Sequence, residues 1–119
     1  MKSTIVSLFL IVLIGAARIE AHAFLRDAEP AVGSTVQTSP NEVRIRFTEN
    51  IEPAFSSIRV FDASGKEVDK RDVHLDRSDR SRLHVSLPQL TAGIYKVVWR
   101  VVSVDTHVTN GSFTFRVSR

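Results

Sequence analysis

Cysteine is absent from this chain of 119 residues, and its single methionine is Met1. Without cysteine the chain can form no disulfide bond and offers no thiolate to a metal ion. A small exported domain of this composition must therefore be held together by its apolar core. The chain also has only one tryptophan and one tyrosine, which leaves little material for a flat aromatic surface that could bind a polymeric substrate.

The first residues have the layout of a secretory signal peptide. The positive charge of Lys2 precedes the apolar stretch TIVSLFLIVLIG, and small residues follow it. Arg18 and Glu20 arrive too early for a transmembrane helix, which needs roughly 20 apolar residues. We therefore predict that the leader is removed and that no stable membrane insertion remains after cleavage. Loss of Met1 with the leader leaves no thioether, which excludes soft-ligand Cu(I) sites, iron–sulfur clusters and blue-copper centres.

Three cleavage points fit the local rules, and they differ in what they do to His22. Cleavage after Ala21 makes His22 the first residue of the mature chain. Cleavage after Ala23, behind the sequence AHA, removes the histidine, whereas cleavage after Ala17, behind GAA, leaves it inside a short tail. The local rules leave this choice open.

If residues 1–21 are the leader, the domain spans residues 22–119 and its charge is nearly balanced. Removing Lys2, Arg18 and Glu20 reduces the 16 basic and 13 acidic side chains to 14 and 12, a net charge of +2. This balance does not indicate a nucleic-acid partner. Charges of both signs alternate in KEVDKRDVHLDRSDRSR, which predicts a solvated loop or edge around His74.

Alternating apolar residues predict β-strands along the remaining chain. Five strands are indicated by EVRIRF, SSIRVFD, RLHVSL, GIYKVVWRVVS and GSFTFRVS, and two more by AFLRDAEP and the residues around Val32 to Val36. All four prolines fall outside the first five runs, where a missing N–H does least harm. The pattern predicts one all-β domain of about seven strands, an immunoglobulin-like or cupredoxin-like Greek-key sandwich or barrel.

Side-chain direction within these strands separates core residues from surface residues. Tyr95 and Trp99 share a face with valines, so we predict that both rings lie in the core. His84 alternates outward in RLHVSL and is predicted to be a surface residue and not a metal ligand, as is His74.

A D-x-H pair, Asp105 and His107, follows the longest strand. In extended backbone, residues two apart project to the same side, so the carboxylate and the imidazole are expected to face one point. The pair alone is a weak signal, because two such residues are more often a hydrogen-bonded surface pair than a site.

A free amino-terminal His22 would strengthen the case for a metal. Its α-amine and its Nδ1 can chelate one ion, and His107 and Asp105 would complete a set of three nitrogens and one oxygen. Planar nitrogen and oxygen ligation favours Cu(II) or Ni(II), and the affinity order of divalent metals places copper first. Zinc would prefer a tetrahedral set. Because the α-amine has an ordinary pKa of about 7.7–8.0, copper affinity is expected to rise with pH through that range.

The sequence resembles the copper resistance protein CopC family over essentially the whole predicted mature chain. The resemblance is carried by HAFLRDAEPAVGSTVQTSPNEVRIRFTENIEP, FDASGKEV and GIYKVVWRVVSVDTHVTNGSFTFRV, in that order. It implies an all-β Greek-key domain whose mature chain begins with histidine, and hence cleavage after Ala21. It also implies that His22, Asp105 and His107 hold the metal, and the match of FTE to a family motif nominates Glu49.

Two departures from the family pattern are visible. The usual D-G-H-P motif has Thr106 and Val108 in its second and fourth places. Neither side chain is a required ligand, but the loss of glycine is expected to alter the turn. Family members with two copper sites use a methionine-rich loop for Cu(I), which this chain lacks, so the resemblance implies a member that binds one Cu(II) and no Cu(I).

The function that these features predict is a periplasmic protein that sequesters or transfers Cu(II) without catalytic turnover. Four ligands from the chain would fill the coordination plane, which suits retention of the metal. The resemblance implies an inner-membrane copper-transport protein of the CopD type as partner. Two alternatives stay open, a metal-free immunoglobulin-like accessory or adhesion module and a copper monooxygenase with an amino-terminal histidine.

Overall fold

The computed structural model describes residues 23–118, which form two facing four-stranded β-sheets. In chain order the strands are β1 (Leu25–Glu29), β2 (Thr35–Val36), β3 (Glu42–Phe47), β4 (Ser57–Phe61), β5 (His74–Leu75), β6 (Arg82–Ser86), β7 (Gly93–Val102) and β8 (Val108–Val117). A 3-10 helix, Pro53–Phe55, precedes β4. The two-residue strand β5 was not predicted.

The chain crosses repeatedly between the sheets. The first sheet has the strand order β1-β3-β6-β5 and the second has β2-β8-β7-β4. Neighbouring strands are antiparallel, except that β2 runs parallel to β8. Within residues 23–118 the two sheets do not join into a closed barrel. The predicted all-β, immunoglobulin-like class is confirmed, and of its two predicted forms the chain adopts the sandwich.

The apolar faces of both sheets meet in one core. Tyr95 and Trp99 are 4% and 6% exposed, which confirms their predicted burial. The Trp99 ring packs edge-on against Phe47, with ring centroids 5.2 Å apart. The Tyr95 hydroxyl donates a hydrogen bond to the Thr91 carbonyl oxygen at 2.7 Å. Since each large apolar side chain buried in this way contributes about 1.5–3 kcal/mol, the core provides a firm frame for the turns at its ends.

The hairpin of β7 and β8 carries the D-x-H residues at its tip. The strands pair without interruption from Gly93 with Val117 to Val102 with Val108. β8 therefore begins before the run GSFTFRVS that predicted it, because the backbone of β7 offers pairing partners as far as Val102. The first residues of β8 carry little apolar alternation, and backbone pairing instead determines their conformation.

The charged segment after β4 is more closely packed than its sequence indicates. Asp69 is 8% exposed, and its carboxylate accepts the Val60 N–H at 2.8 Å and the Arg71 N–H at 3.2 Å. Burial raises the pKa of Asp69. His74 lies in β5 opposite His84, with the two rings stacked and their centroids 5.2 Å apart. The charge pattern predicted a solvated loop or edge around His74, and β5 is an edge strand of the first sheet. Asp69 differs from this prediction, because it is buried.

His84 lies on the outer face of the first sheet, between carboxylates from two sides. Its Nε2 is 2.7 Å from Asp76 Oδ1 and its Nδ1 is 3.0 Å from Glu42 Oε1, so its side chain is only 12% exposed. Asp76 also accepts the Ser78 N–H at 2.9 Å. The hydrogen bonds from the Ser78 N–H and from the His84 ring lower the pKa of Asp76 from its ordinary value of 3.8 to about 2.

Asp76→Asn is expected to flatten the acid dependence of folding stability. Because the folded-state pKa of Asp76 is depressed, its carboxylate stabilises the fold above about pH 4, and this stabilisation is lost as the pH falls toward about 2. Urea unfolding at neutral pH and at several values between about pH 4 and about pH 2 measures this. The difference in free energy of unfolding between wild type and variant should shrink in acid. A constant difference would contradict the prediction.

Candidate metal site

The D-x-H residues lie in the turn that joins β7 to β8. The Ser103 N–H donates to the His107 carbonyl oxygen at 3.0 Å, and the Thr106 N–H donates to the Ser103 carbonyl oxygen at 2.8 Å. The expectation of extended backbone from Asp105 to His107 is therefore wrong. The reason is that strand pairing ends immediately before Ser103 and resumes immediately after His107, so the residues between them must reverse the chain.

The turn nevertheless brings Asp105 and His107 together. Nδ1 of His107 lies 3.4 Å from Oδ1 of Asp105, and both side chains are 46% exposed. A nitrogen donor and an oxygen donor thus lie side by side at the tip of a rigid hairpin and within reach of solvent. The juxtaposition expected from the sequence is present, but tight reversal of the backbone produces it.

Ser103 supports this pair, and the sequence analysis did not select it. The residue is fully buried, and its hydroxyl donates a hydrogen bond to Oδ1 of Asp105. The same Oγ accepts the His107 N–H at 3.3 Å. The Ser103 hydroxyl first, and the His107 ring second, lower the pKa of Asp105. These contacts keep the carboxylate in the charged form that binds cations. A serine two residues before the aspartate was the available sequence signal.

Thr106 occupies the glycine position of the family motif. Its φ is +74°, the left-handed conformation that glycine adopts without strain and that costs other residues about 1–2 kcal/mol. Thr106 therefore adopts a conformation that favours glycine, and its backbone is strained. That the turn differs from the turn of family members with glycine stays a prediction.

The first described residues run directly past this turn. The side chain of Ala23 is fully buried, and its carbonyl oxygen accepts the Thr109 hydroxyl at 2.5 Å. The Phe24 N–H donates to Thr48 Oγ1 at 2.9 Å, and the Thr48 N–H donates back to the Phe24 carbonyl oxygen at 2.9 Å. Because Thr109 lies two residues after His107 in the chain, the segment that begins at Ala23 starts beside the D-x-H turn.

The other two predicted ligands are His22 and Glu49, and only Glu49 lies within the described residues. His22 lies outside the described residues. Glu49 is half-buried and directly follows Thr48, and the carbonyl oxygen of the next residue, Asn50, accepts the Val104 N–H at 3.0 Å. Glu49 therefore belongs to a segment between the amino-terminal residues and the turn. Within residues 23–118, no three histidine, aspartate or glutamate side chains form a group that could hold a metal ion.

In the part of the chain that the structure describes, no helix combines the length and the apolar character needed to cross a lipid bilayer.

Known proteins and structures match nearly the whole described chain. The CopC domain family matches residues 25–118. Copper resistance protein C of Pseudomonas syringae pv. tomato is 31% identical over 98% of this chain and 96% of its own length. Protein YobA of Escherichia coli K12 is 34% identical over 82% of this chain and 79% of its own length. The crystal structure of CopC from Methylosinus trichosporium OB3b superposes with a TM-score of 0.77 at 37% identity, covering 82% of this chain and 94% of that one.

The two kinds of match agree with each other and with the geometry. The family match covers all eight strands, including both halves of the hairpin that carries Asp105 and His107. The solved structure with a matching backbone also carries the family's name. The chain therefore belongs to the CopC domain family, to which its sequence motifs had pointed.

Proposed function

We propose that the chain is exported to the periplasm, where it binds one Cu(II) ion and sequesters or transfers it without catalytic turnover. The observation that carries the proposal is the Asp105–His107 pair, placed at a hairpin tip directly beside the docked residue Ala23. Membership of a family whose named relatives include copper resistance proteins supports copper as the metal.

The spacing of the two described donors fits a metal ion. Bonds of about 2.0 Å at a right angle place two ligand atoms about 2.8 Å apart. Nδ1 of His107 and Oδ1 of Asp105 are 3.4 Å apart, so a small rotation of either side chain brings both into bonding range. The depressed pKa of Asp105 keeps its carboxylate ionised at neutral pH.

We propose that the remaining ligands are the α-amine and Nδ1 of His22, with Glu49 as a weaker neighbour. Consecutive Cα atoms are about 3.8 Å apart, so a ligand on the residue before Ala23 would be one residue away from the group that the Thr109 hydroxyl binds. The burial of Ala23 also favours cleavage after Ala21 over cleavage after Ala23. The later cut would remove a side chain from the core.

Mass analysis and metal titration of the exported protein together test the proposal. The chain is expressed with its own leader and recovered from the periplasm, and its intact mass is measured by mass spectrometry. The mass is expected to be that of a chain that begins at His22. Competition titrations with Cu(II) and Zn(II) are expected to give one Cu(II) per chain and a clear preference over zinc. A chain that begins at Phe24, or Cu(II) binding no tighter than about micromolar, would contradict the proposal and favour the metal-free accessory module.

Two further assays address turnover and transfer. Reductant-driven oxygen consumption by the copper-loaded protein should not exceed that of free copper, and a large excess would favour the monooxygenase alternative. The proposed acceptor is an inner-membrane copper-transport protein of the CopD type. Vesicles that contain it should remove copper from the loaded protein faster than empty vesicles do.

A further inference from the structure

We infer that Thr109 and Thr48 are positioning residues that hold the amino-terminal segment beside the D-x-H turn and thereby raise copper affinity without touching the metal. This inference rests on the proposed function, because it concerns how the His22 chelate reaches Asp105 and His107. It assigns roles to two hydroxyl groups that are not themselves proposed ligands.

Thr109 connects the segment to the strand that begins after His107. Its hydroxyl donates to the Ala23 carbonyl oxygen at 2.5 Å across 86 residues of sequence. Thr109 itself is fixed by its pairing with Val101 in the β7–β8 hairpin. The same hairpin therefore holds the D-x-H turn and the carbonyl group of Ala23, the residue that follows His22.

Thr48 fixes the next residue from the opposite sheet. Its Oγ1 accepts the Phe24 N–H at 2.9 Å, and its own N–H donates to the Phe24 carbonyl oxygen at 2.9 Å. Both polar backbone groups of Phe24 are thus held by one threonine, immediately after β3. The buried methyl group of Ala23 adds an apolar anchor between the two threonines.

These contacts reduce the entropy that metal binding must remove. A mobile amino-terminal segment loses backbone freedom when it closes a chelate, and this loss weakens binding. Here residues 23 and 24 are already held by Thr109 and Thr48, so their backbone freedom need not be lost when the chelate closes. Loss of one hydroxyl should loosen the segment while the proposed ligands stay chemically intact.

The test compares Thr109→Val with Thr109→Ser in protein that begins at His22. Valine keeps the shape of threonine and removes the hydroxyl, and Cu(II) affinity is expected to fall about three- to tenfold, the usual range for one hydrogen bond. Serine restores the donor and should restore the affinity. Thr114→Val is the matched control, because Thr114 lies on the exposed face of β8 toward its other end, and its affinity should equal that of wild type.

Two readouts separate positioning from a general loss of stability. The electron paramagnetic resonance spectrum of the Cu(II) complex should be unchanged in Thr109→Val, since the ligands are the same. Amide exchange at Phe24 in the copper-free protein should accelerate in Thr109→Val and in Thr48→Val. Thr48→Val is the second variant should Thr109→Val not fold, and its affinity should also fall.

The results distinguish this inference from the proposed function. If wild type binds Cu(II) tightly and Thr109→Val binds it equally well, the positioning role is refuted while the proposed function stands. Equal weakening by valine and serine would also refute it. If wild type itself fails to bind Cu(II), the proposed function is refuted, and faster Phe24 exchange would then support only a structural role.

Discussion

A chain whose His22 α-amine is acetylated is expected to bind Cu(II) at least about 100-fold more weakly than the chain that begins with a free His22 amine. Acetylation turns the amine into an amide nitrogen and leaves no other amine at that end of the chain. The proposed site then loses the chelate formed by the α-amine and Nδ1 of His22. Loss of outer contacts at metal sites alone costs about 10–100-fold, so loss of a direct ligand should cost at least the upper value.

The chain that begins at His22 can be acetylated selectively at its α-amine at a pH where the lysines stay protonated, so that the two proteins differ by one acetyl group. Competition with a chelator of known affinity measures the effect, and thermal unfolding of the copper-free proteins provides the control for folding. His22→Ala keeps the amine and removes the ring, so it should lie between the two. Equal Cu(II) affinity of the acetylated and the unmodified chains would exclude the amine as a ligand.

The pH dependence of binding provides a second check on the same ligand. For the chain that begins at His22, affinity should rise as the pH passes through about 7.7–8.0, because Cu(II) must displace the proton of the amine below that range. The acetylated chain should lack this rise. A rise of the same size in both chains would point to another titrating group.

The strands that the sequence predicts are those in which side-chain burial decides the conformation. In β3 and β6 every second residue is apolar and buried, so the alternation of apolar and polar residues can be recognised in the sequence. β5 has only two residues, and it is held by pairing with β6. The start of β8 is likewise set by pairing with β7. Backbone hydrogen bonds between distant residues leave no pattern in the local sequence.

The candidate site was predictable to a similar extent. The residue types and the order of Asp105 and His107 were sufficient to select them, and the family resemblance added His22 and Glu49. The supporting hydroxyls of Thr48 and Thr109 act across 24 and 86 residues of sequence, so only the fold reveals them. The backbone of the D-x-H turn was predicted wrongly, because side chains two residues apart face the same side only while the backbone is extended. Here the chain reverses.

The second large effect concerns Gly111, which lies opposite Trp99 in the β7–β8 hairpin. A Cβ atom at this position would lie 2.6 Å from Cζ2 and 2.9 Å from Cε2 of the Trp99 ring. The ring is 6% exposed and packs against Phe47, so it has little room to withdraw. Glycine is therefore required here by the close approach of the ring.

Gly111→Ala is accordingly expected to lower the free energy of unfolding by about 1–3 kcal/mol, the usual cost of overpacking a core. Urea unfolding followed by far-ultraviolet circular dichroism measures the change, because this signal is kept when Trp99 is replaced. Ser112→Ala is the control, because Ser112 is exposed in the same strand, and its effect should stay within about 0.5 kcal/mol.

A double-mutant cycle identifies the cause of the Gly111 effect. All three of the close atoms belong to the six-membered ring of the Trp99 indole. Trp99→Phe removes much of that bulk, so Gly111→Ala should cost less in the Trp99→Phe background than in wild type, with a coupling energy of about 0.5–3 kcal/mol. Equal costs in the two backgrounds would mean that backbone conformation, and not the approach of the ring, requires the glycine.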